Sequence, residues 1–433
     1  MSSTAPRRSF HWASIVLAVC AACGGESSSS ATHQIEVLHA FSGTDGAWSR
    51  GSLVRDGTAL FGRTSIGGDF DSGTVFRIGT DGSGFAALYS FTAGGDNGLG
   101  NQPHHNAMLL RDRELIGAAL YGGNTLGGAA SRPERASSPP PIEKSGNGTV
   151  FRIGTDGAAY SVLLELDGGV DAPSLPHSPP VLGPDGRTLY GMTAAGGAHD
   201  TGTLYAVGVD GAGFRLLHSF AKEEGDEPHG MVAFDGAGNL IGMTRKGGSP
   251  PSGQSAGVVF RYDLVAARYE VLHEFEKDEP TNGDTNDHGF FTLVDGFAYA
   301  TTELGGAYLR GTIFRIHEDG SGFQILHSFG GSPGDGVEPY GSLVRQDGWL
   351  YGTTTMGGTN GDGTLFRYRV ADGSYEVLAS FDRASSGALP EDNLVFDEGG
   401  RTVFGLTQAG GVNDPNGTEY FGTVFAFRVP DED

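Results

Sequence analysis

The sequence has few cysteines, few basic residues and only one short apolar leader, and each shortage excludes a class of protein. The only cysteines among its 433 residues are Cys20 and Cys23, so neither a disulfide nor a thiolate metal site can form in the rest of the chain. Lys and Arg number 28 against 52 Asp and Glu, a formal net charge of −24. A surface this acidic repels the phosphate backbone, so nucleic acid is not an expected partner.

Residues 1–22 have the order of a secretory signal peptide. Arg7 and Arg8 precede an apolar run at 13–19, which is shorter than the roughly 20 residues that a membrane-spanning helix needs. The sequence CAACGG at 20–25 is similar to a bacterial lipobox, so we expect cleavage before Cys23 and lipidation of that cysteine. Residues 23–34 then form a flexible tether. Acyl chains would hold the exported protein at the outer membrane or cell surface; the alternative is plain secretion after cleavage near Ala22.

A unit of roughly 50 residues repeats through the remainder of the chain, a period typical of propeller blades. Residues 341–381 show its parts: a short apolar run, an Asp-Gly turn, the strand LYGTT, a Gly-Gly pair, the strand GTLFRY, a second turn and the strand YEVLASF. Asp-Gly between apolar runs is a strong hairpin signal. Many of the 74 glycines fall in turns such as these, and a Gly or Ala also recurs at the centre of the LYGTT-type strand, which indicates close contact between neighbouring sheets. Four antiparallel strands per unit, without helical periodicity, predict an all-β propeller.

The number of repeats predicts how the propeller closes. Seven sets of first, second and third strands are present, but the last set lacks a fourth strand, and the chain begins with an orphan fourth strand at 35–41. We therefore predict a seven-bladed β-propeller over 35–429, closed by the N-terminal strand completing the C-terminal blade. An insertion at about 124–147, rich in Pro and Ser, is predicted to be a surface loop or disordered.

The blocks LYGTTTMGGTNGDGTLFRY (350–368) and FQILHSF (323–329) resemble the GloVer-type tandem repeat, found in secreted bacterial proteins with varied anchors. The resemblance covers about residues 35–429. It implies a repeat scaffold and transfers no catalytic residue to this chain.

The residue just before each first strand is the candidate site. In chain order these residues are Arg50, His105, His177, His229, His288, Tyr340 and Glu391. Because the first strand of a propeller blade is innermost, we expect them to ring one mouth of the central channel. Imidazole and carboxylate groups bind divalent metals, so a divalent metal or a carboxylated ligand is expected there. The alternative is that they only fill a repeat position.

A second histidine set indicates packing instead. His39, His218, His273 and His327 occupy one fourth-strand position that other repeats fill with Tyr89, Leu164 and Ala379. A position that accepts such different side chains is predicted to pack against its neighbours.

Together these features predict an exported, monomeric lipoprotein whose propeller binds a glycan or protein ligand without catalysis. The alternative is a metal-assisted polysaccharide lyase or hydrolase that uses the channel-mouth histidines. A structural envelope component is the third interpretation. The chain has no His-Glu-x-x-His and no phosphate-binding G-x-x-x-x-G-K loop.

Overall fold

Seven antiparallel sheets form a seven-bladed β-propeller in the computed structural model of the chain. The structure describes residues 34–92, 101–103, 108–123, 146–169, 171–277, 279–284, 289–391, 393–414, 416, 418 and 420–430. No described residue is helical, and no helix in these ranges is long and apolar enough to cross a membrane. The insertion lies outside these ranges except for residues 146–147, and the signal peptide and Cys23 lie outside them entirely.

Each blade has four main strands, numbered here from the inside outwards. The first strands of blades 1 to 7 are Val54–Asp56, Leu109–Arg111, Val181–Leu182, Ala233–Phe234, Thr292–Val294, Val344–Gln346 and Val395–Phe396. The second strands are Ala59–Thr64, Glu114–Tyr121, Thr188–Thr193, Leu240–Met243, Phe297–Thr302, Trp349–Thr354 and Thr402–Thr407. The third strands are Thr74–Gly79, Thr149–Gly154, Thr203–Gly208, Ser255–Asp263, Thr312–His317, Thr364–Arg369 and Thr423–Arg428. The fourth strands are Ala86–Ser90, Ser161–Glu165, Arg215–Ser219, Arg268–Glu276, Gln324–Ser328, Tyr375–Ser380 and Ile35–Ala40.

Short additional strands flank the blades. Asn101–Pro103 pairs with the second strand of blade 2, Pro173–Ser174 pairs with Ala195–Gly196, and Gly336–Val337 pairs with Met356–Gly357.

The N-terminal strand lies in the sheet of blade 7. Ile35–Ala40 pairs antiparallel with Thr423–Arg428, from Ile35 opposite Phe427 to Ala40 opposite Thr423. The first and last strands of the described chain are therefore neighbours. That this pairing holds the ring closed remains a prediction, which truncation tests below.

The first strands are shorter than the sequence predicted. The apolar runs at 51–54, 231–234 and 341–344, which precede the first turn of three repeats, predict first strands there, but the strands begin at Val54, Ala233 and Val344. Several backbone amides just before them donate instead to side chains of the neighbouring blade. Phe290 donates to Ser342 Oγ at 2.6 Å, Ser342 to Asn393 Oδ1 at 2.5 Å, and Asn393 to Ser52 Oγ at 2.9 Å. These bonds link blades 5, 6, 7 and 1 around the centre.

The recurring glycine of the second strand has a different role from the predicted one. The sequence indicated close contact between neighbouring sheets. A Cβ on Gly62 would instead lie 2.4 Å from the ring of Phe76, the residue opposite it in the same blade. Gly117 and Gly405 face Phe151 and Phe425 in the same way. The glycine therefore makes room for an aromatic ring of its own sheet.

Every fourth strand contains a β-bulge at a leucine. The register skips one residue in all seven blades, at Leu38, Leu88, Leu163, Leu217, Leu272, Leu326 and Leu378. The bulged leucine contacts a turn glycine of the next blade: a Cβ on Gly211 would lie 2.4 Å from the carbonyl oxygen of Leu163. Gly211 also has a φ of +82°, which favours glycine. The bulged leucine and the turn glycine therefore form a contact between blades at four seams, in the pairs Leu38–Gly82, Leu88–Gly157, Leu163–Gly211 and Leu272–Gly320.

Stacked rings join the fourth strands of neighbouring blades at five of the seven seams, where a seam is the outer interface between two blades. Ring centroids lie 3.7–4.2 Å apart and the planes within 16° of parallel in the pairs His39–Phe85, Tyr89–Tyr160, His218–Tyr269, His273–Phe323 and His327–Tyr375. The bulge turns the side chain after the leucine towards the next blade. The predicted packing role of these four histidines is confirmed.

Candidate functional site

Five of the seven predicted mouth residues are described: Arg50, His177, His229, Tyr340 and Glu391. His105 and His288 lie outside the described residues. Each of the five stands four positions before the first strand of its blade. The repeat therefore presents four kinds of side chain, arginine, histidine, tyrosine and glutamate, at one equivalent place in blades 1, 3, 4, 6 and 7.

The backbone that leads to these side chains is strained in the same way in all five blades. The residue two positions earlier has a positive φ although it is not glycine: Trp48, Leu175, Glu227, Glu338 and Leu389 have φ between +53° and +59°. A bulky residue in this left-handed region costs roughly 1–3 kcal/mol and persists only where the surroundings hold it.

Two hydrogen bonds hold each strained residue. Glu227, for example, donates its backbone N–H to Thr201 O of the preceding blade at 3.1 Å and accepts from the Arg245 amide of its own blade at 3.1 Å. Corresponding bonds hold the other four residues. Each strained residue is therefore fixed between two blades.

A proline anchors four of the five mouth residues on the preceding blade. Pro228 lies against Gly202, where a Cβ would be 2.7 Å from the proline Cδ. Pro176 lies against Gly148, Pro339 against Gly311 and Pro390 against Gly363. This contact, with a φ of +98° to +106° at these glycines, explains the glycine that opens the GTVF-like block in blades 2, 3, 5 and 6.

A polar cluster joins Arg50 and Glu391 across blades 1 and 7. Arg50 Nε lies 3.3 Å from Glu391 Oε2, and both side chains are largely buried. With the Gln408 amide oriented by its neighbours, its nitrogen donates to Glu391 Oε1 at 3.2 Å, and its oxygen accepts from Arg50 Nε at 2.7 Å and from Trp48 Nε1. The Arg50 guanidinium also lies 4.2 Å above the Trp48 ring. The cluster thus combines a paired charge with an aromatic face.

His177 and His229 stack on each other. Their ring centroids are 3.8 Å apart with planes 6° from parallel, and both residues are buried. Ser178 Oγ donates to the carbonyl oxygen of His229. A metal ion must lie about 2.0–2.1 Å from a ring nitrogen, in the plane of the ring. Two parallel rings at this spacing cannot both direct a nitrogen at one ion.

Carboxylates of blades 4 and 5 complete the polar surface. Tyr340 donates its hydroxyl to Glu303 Oε1 at 3.0 Å. Glu227 Oε2 lies 3.2 Å from Arg245 Nη1 and 2.8 Å from Lys246 Nζ. Within the described ranges, no three His, Asp or Glu side chains are grouped so as to hold a metal ion.

The sequence did not identify the partners Gln408, Glu303 and Arg245. All three occupy one repeat position, directly after the last residue of the LYGTT-type block. Ser65, Leu120, Ala194 and Thr355 stand there in the other blades. Variation at this position, beside a nearly constant threonine, is the signal that would have identified a second ring of variable residues.

Comparison with known proteins assigns the repeat. The family model of the Gloeobacter/Verrucomicrobia repeat matches residues 142–335 and 255–425, which together span more than half of the chain. No curated protein sequence matches significantly.

Two solved structures show the same architecture. An oligogalacturonate lyase in complex with manganese has a TM-score of 0.54 at 12% identity, over 93% of this chain and 95% of that chain. The extracellular domain of a protein described as a hybrid two component system of B. thetaiotaomicron has a TM-score of 0.52 at 10% identity, over 93% of this chain and 40% of that chain. At such identities the likeness establishes the fold alone. With the family model matched over most of the repeats, the chain belongs to the Gloeobacter/Verrucomicrobia repeat family.

Proposed function

We propose that this protein is an exported binding scaffold that holds a polar ligand at the channel mouth and performs no catalysis. One observation carries the proposal: five blades present four kinds of polar or charged side chain on the same strained, doubly hydrogen-bonded backbone. Strained backbone is concentrated at functional sites because its cost needs a compensating gain. A constant scaffold with variable side chains is the arrangement expected of a recognition surface.

A glycan is the ligand class that suits this chemistry best. The mouth offers donors from Arg50, Arg245 and Tyr340 beside acceptors from Glu391 and Glu303. Sugar hydroxyls donate and accept at once, so they match such a mixed surface. The ring of Trp48, beneath Arg50, adds an aromatic element. A segment of a protein rich in polar side chains is the second ligand class.

A glycan array followed by titration of each binder tests the proposal. Tyr340→Phe removes one hydroxyl from the mouth, and Tyr89→Phe removes one from the seam between blades 1 and 2 as a matched control. We expect Tyr340→Phe to weaken binding about tenfold, which corresponds to about 1.4 kcal/mol, and Tyr89→Phe to leave it unchanged. Binding that is absent, or that survives both Tyr340→Phe and Gln408→Ala, would contradict the proposal.

The place of the protein in the cell is part of the same proposal. Lipidation of Cys23 would keep the propeller at the outer membrane or cell surface on the tether 23–34. Expression of Cys23→Ser in the bacterium should move the protein from the membrane fraction to the soluble exported fraction. If the unchanged protein is already soluble, plain secretion is the correct alternative.

Metal-assisted lyase or hydrolase activity is the alternative function, and in it only one ring of the stacked pair His177 and His229 could bind the ion. Incubation with acidic and neutral polysaccharides, with and without added Mn²⁺, tests it. Metal-dependent shortening of any of these polymers, lost in His229→Ala, would replace the binding proposal.

A further inference from the structure

The seam between blades 2 and 3 lacks one of its two rings. At the intact seams the residue after the bulged leucine is His or Tyr, but in blade 2 it is Leu164. The register is the same: Leu164 lies opposite Val150 as His327 lies opposite Ile313. The second ring of the pair is retained, because Phe214 occupies the place that Tyr375 has in blade 6. One half of the stack is therefore missing.

A cavity of about 250 Å³ lies at this incomplete seam. Leu164, Leu166 and Phe214 supply apolar walls, and Glu165, Asp167 and Asp171 supply carboxylates. Phe214 is 38% exposed, one of the few large apolar side chains that the described surface leaves open. The retained ring thus has a face available to a ligand.

The intact seams show what such a cavity accepts. Each histidine ring stacks on an aromatic ring of the next blade, and its Nε2 faces a polar side chain from the loop that follows its strand. The distances are 2.9 Å for His39–Asp45, 3.2 Å for His218–Glu224, 2.7 Å for His273–Asn282 and 3.7 Å for His327–Asp335. In blade 2 the corresponding loop supplies Asp167 and Asp171, so the acceptor is present although the ring is not.

We propose that this seam is a binding site for an imidazole ring, which stacks on Phe214 and donates to a carboxylate of Asp167 or Asp171. The volume agrees, since a cavity of about 150 Å³ holds benzene and the remaining space admits a substituent on the ring. Three carboxylates favour a ligand that carries positive charge, as an imidazolium does. The site is separate from the channel mouth and does not depend on the function proposed for it.

The seam between blades 6 and 7 provides an internal contrast. It also lacks a stacked pair, with Ala379 and Ile35 at the two ring positions, and a cavity of about 400 Å³ lies there. Neither side supplies a ring, so no stacking surface exists for a planar ligand. We expect imidazole to bind at the first of these seams and not at the second.

Titration of the purified protein with 4-methylimidazole, followed by protein-observed NMR, tests the inference. We expect one saturable site in the unchanged protein. Leu164→His should fill the cavity with a tethered ring and abolish binding. Phe214→Leu should remove the stacking surface and weaken binding at least tenfold. If Leu164→His does not fold, unchanged binding in Phe214→Leu overturns the inference. Unfolding curves of each variant establish that the fold is intact.

His327→Ala provides a gain-of-binding control. It empties the ring position opposite Tyr375 and Asp335, so the probe should then occupy two sites. Binding that is not saturable, or that Leu164→His leaves unchanged in a folded protein, overturns the inference. Binding that is seen in His327→Ala but not in the unchanged protein also overturns the inference. A histidine-containing tripeptide in a parallel titration distinguishes the source of the ring: tighter binding than the free probe indicates a peptide ligand, and equal binding indicates a small molecule.

Discussion

At the scale of single residues, one threonine pair explains two motifs of the repeat. The last residue of the LYGTT-type block and the threonine of the GTVF-type block share a hydrogen bond between their hydroxyls. The Oγ1 atoms lie 2.7–2.9 Å apart in Thr64–Thr74, Thr193–Thr203, Thr302–Thr312, Thr354–Thr364 and Thr407–Thr423. Both partners are buried. The first threonine of each pair also donates to the carbonyl oxygen two residues further on, so it can accept from the second threonine and give that buried hydroxyl a partner. The threonines are therefore structural.

Blade 2 breaks this pair and gives a testable prediction. Ala119 stands opposite Thr149, whose buried hydroxyl has no hydrogen-bond partner among the described residues. Ala119→Thr should add the missing bond and raise the free energy of unfolding by about 1 kcal/mol, measured by urea titration.

Two control variants separate this effect from general packing. Thr149→Val removes the unsatisfied hydroxyl and should cost nothing, whereas Thr364→Val breaks an intact pair and should cost about 1 kcal/mol. Equal losses in the two valine variants would refute the explanation.

The seam histidines predict how stability responds to pH. Burial lowers the pKa of His218 and of His273, although Glu224 and Asn282 respectively oppose the shift. Burial also raises the pKa of Asp45, but hydrogen bonds from His39 and Ser42 outweigh it and leave this pKa below its usual value. In each case the unfolded chain binds protons more readily than the folded one, so acid favours unfolding.

We expect the free energy of unfolding to be greatest above pH 6.5, the usual pKa of histidine. It should fall as the pH drops through the lowered histidine pKa values, and fall again below the usual range of aspartate. Urea titrations at pH 7.5, 5.5 and 3.5 measure this. In the double variant His218→Phe and His273→Phe, the free energy of unfolding should decrease much less between pH 7.5 and 5.5. Stability that is constant or greater at pH 5.5 would contradict the assignment.

At the scale of an element, the N-terminal strand is the most consequential. Of its apolar side chains Ile35, Val37, Leu38 and Phe41, the structure buries only Phe41 fully. Phe41 packs edge-to-face on Phe76 with centroids 5.3 Å apart. Substitutions of this kind, from a buried Phe to Ala, cost about 3–5 kcal/mol.

A chain that begins at Ser42 should therefore unfold or aggregate, because blade 7 loses its outer strand and blade 1 loses its neighbour. The matched control begins at Gln34 and keeps the strand, so it should melt like the full chain. The melting temperature of Phe41→Ala should lie between those of these two chains. Thermal unfolding and light scattering measure the series. Normal melting of the chain that begins at Ser42 would contradict the prediction that this strand closes the propeller.

At the scale of the whole molecule, the sequence could predict the number and order of strands but not how blades meet. Blocks such as LYGTT and GTLFRY carry the hairpins within themselves, so seven blades follow from local patterns. The bond between Asn393 and Ser52 joins residues far apart in the chain, and no local pattern records it. The mouth positions follow from the repeat itself and were predicted. The pairing of Tyr340 with Glu303 joins two blades and was not.

The mouth as a whole predicts a low affinity for metal. The stacked rings of His177 and His229 do not converge on one point, so we expect less than one equivalent of divalent metal after dialysis, measured by elemental analysis. The double variant His177→Ala and His229→Ala should leave that content unchanged. A full equivalent of metal in the unchanged protein, lost in the double variant, would restore the metal hypothesis that the sequence suggested.

The backbone that carries each mouth residue is held by main-chain hydrogen bonds and, in four blades, by a proline on the blade before it. The mouth side chain itself takes no part in that support. Arginine, histidine, tyrosine and glutamate can therefore exchange at this position while the blade keeps its geometry. A change at the mouth can alter what the propeller recognises without moving the blade, provided that the members of a buried pair such as Arg50 and Glu391 change together, so relatives with the same blades are expected to differ in their ligands.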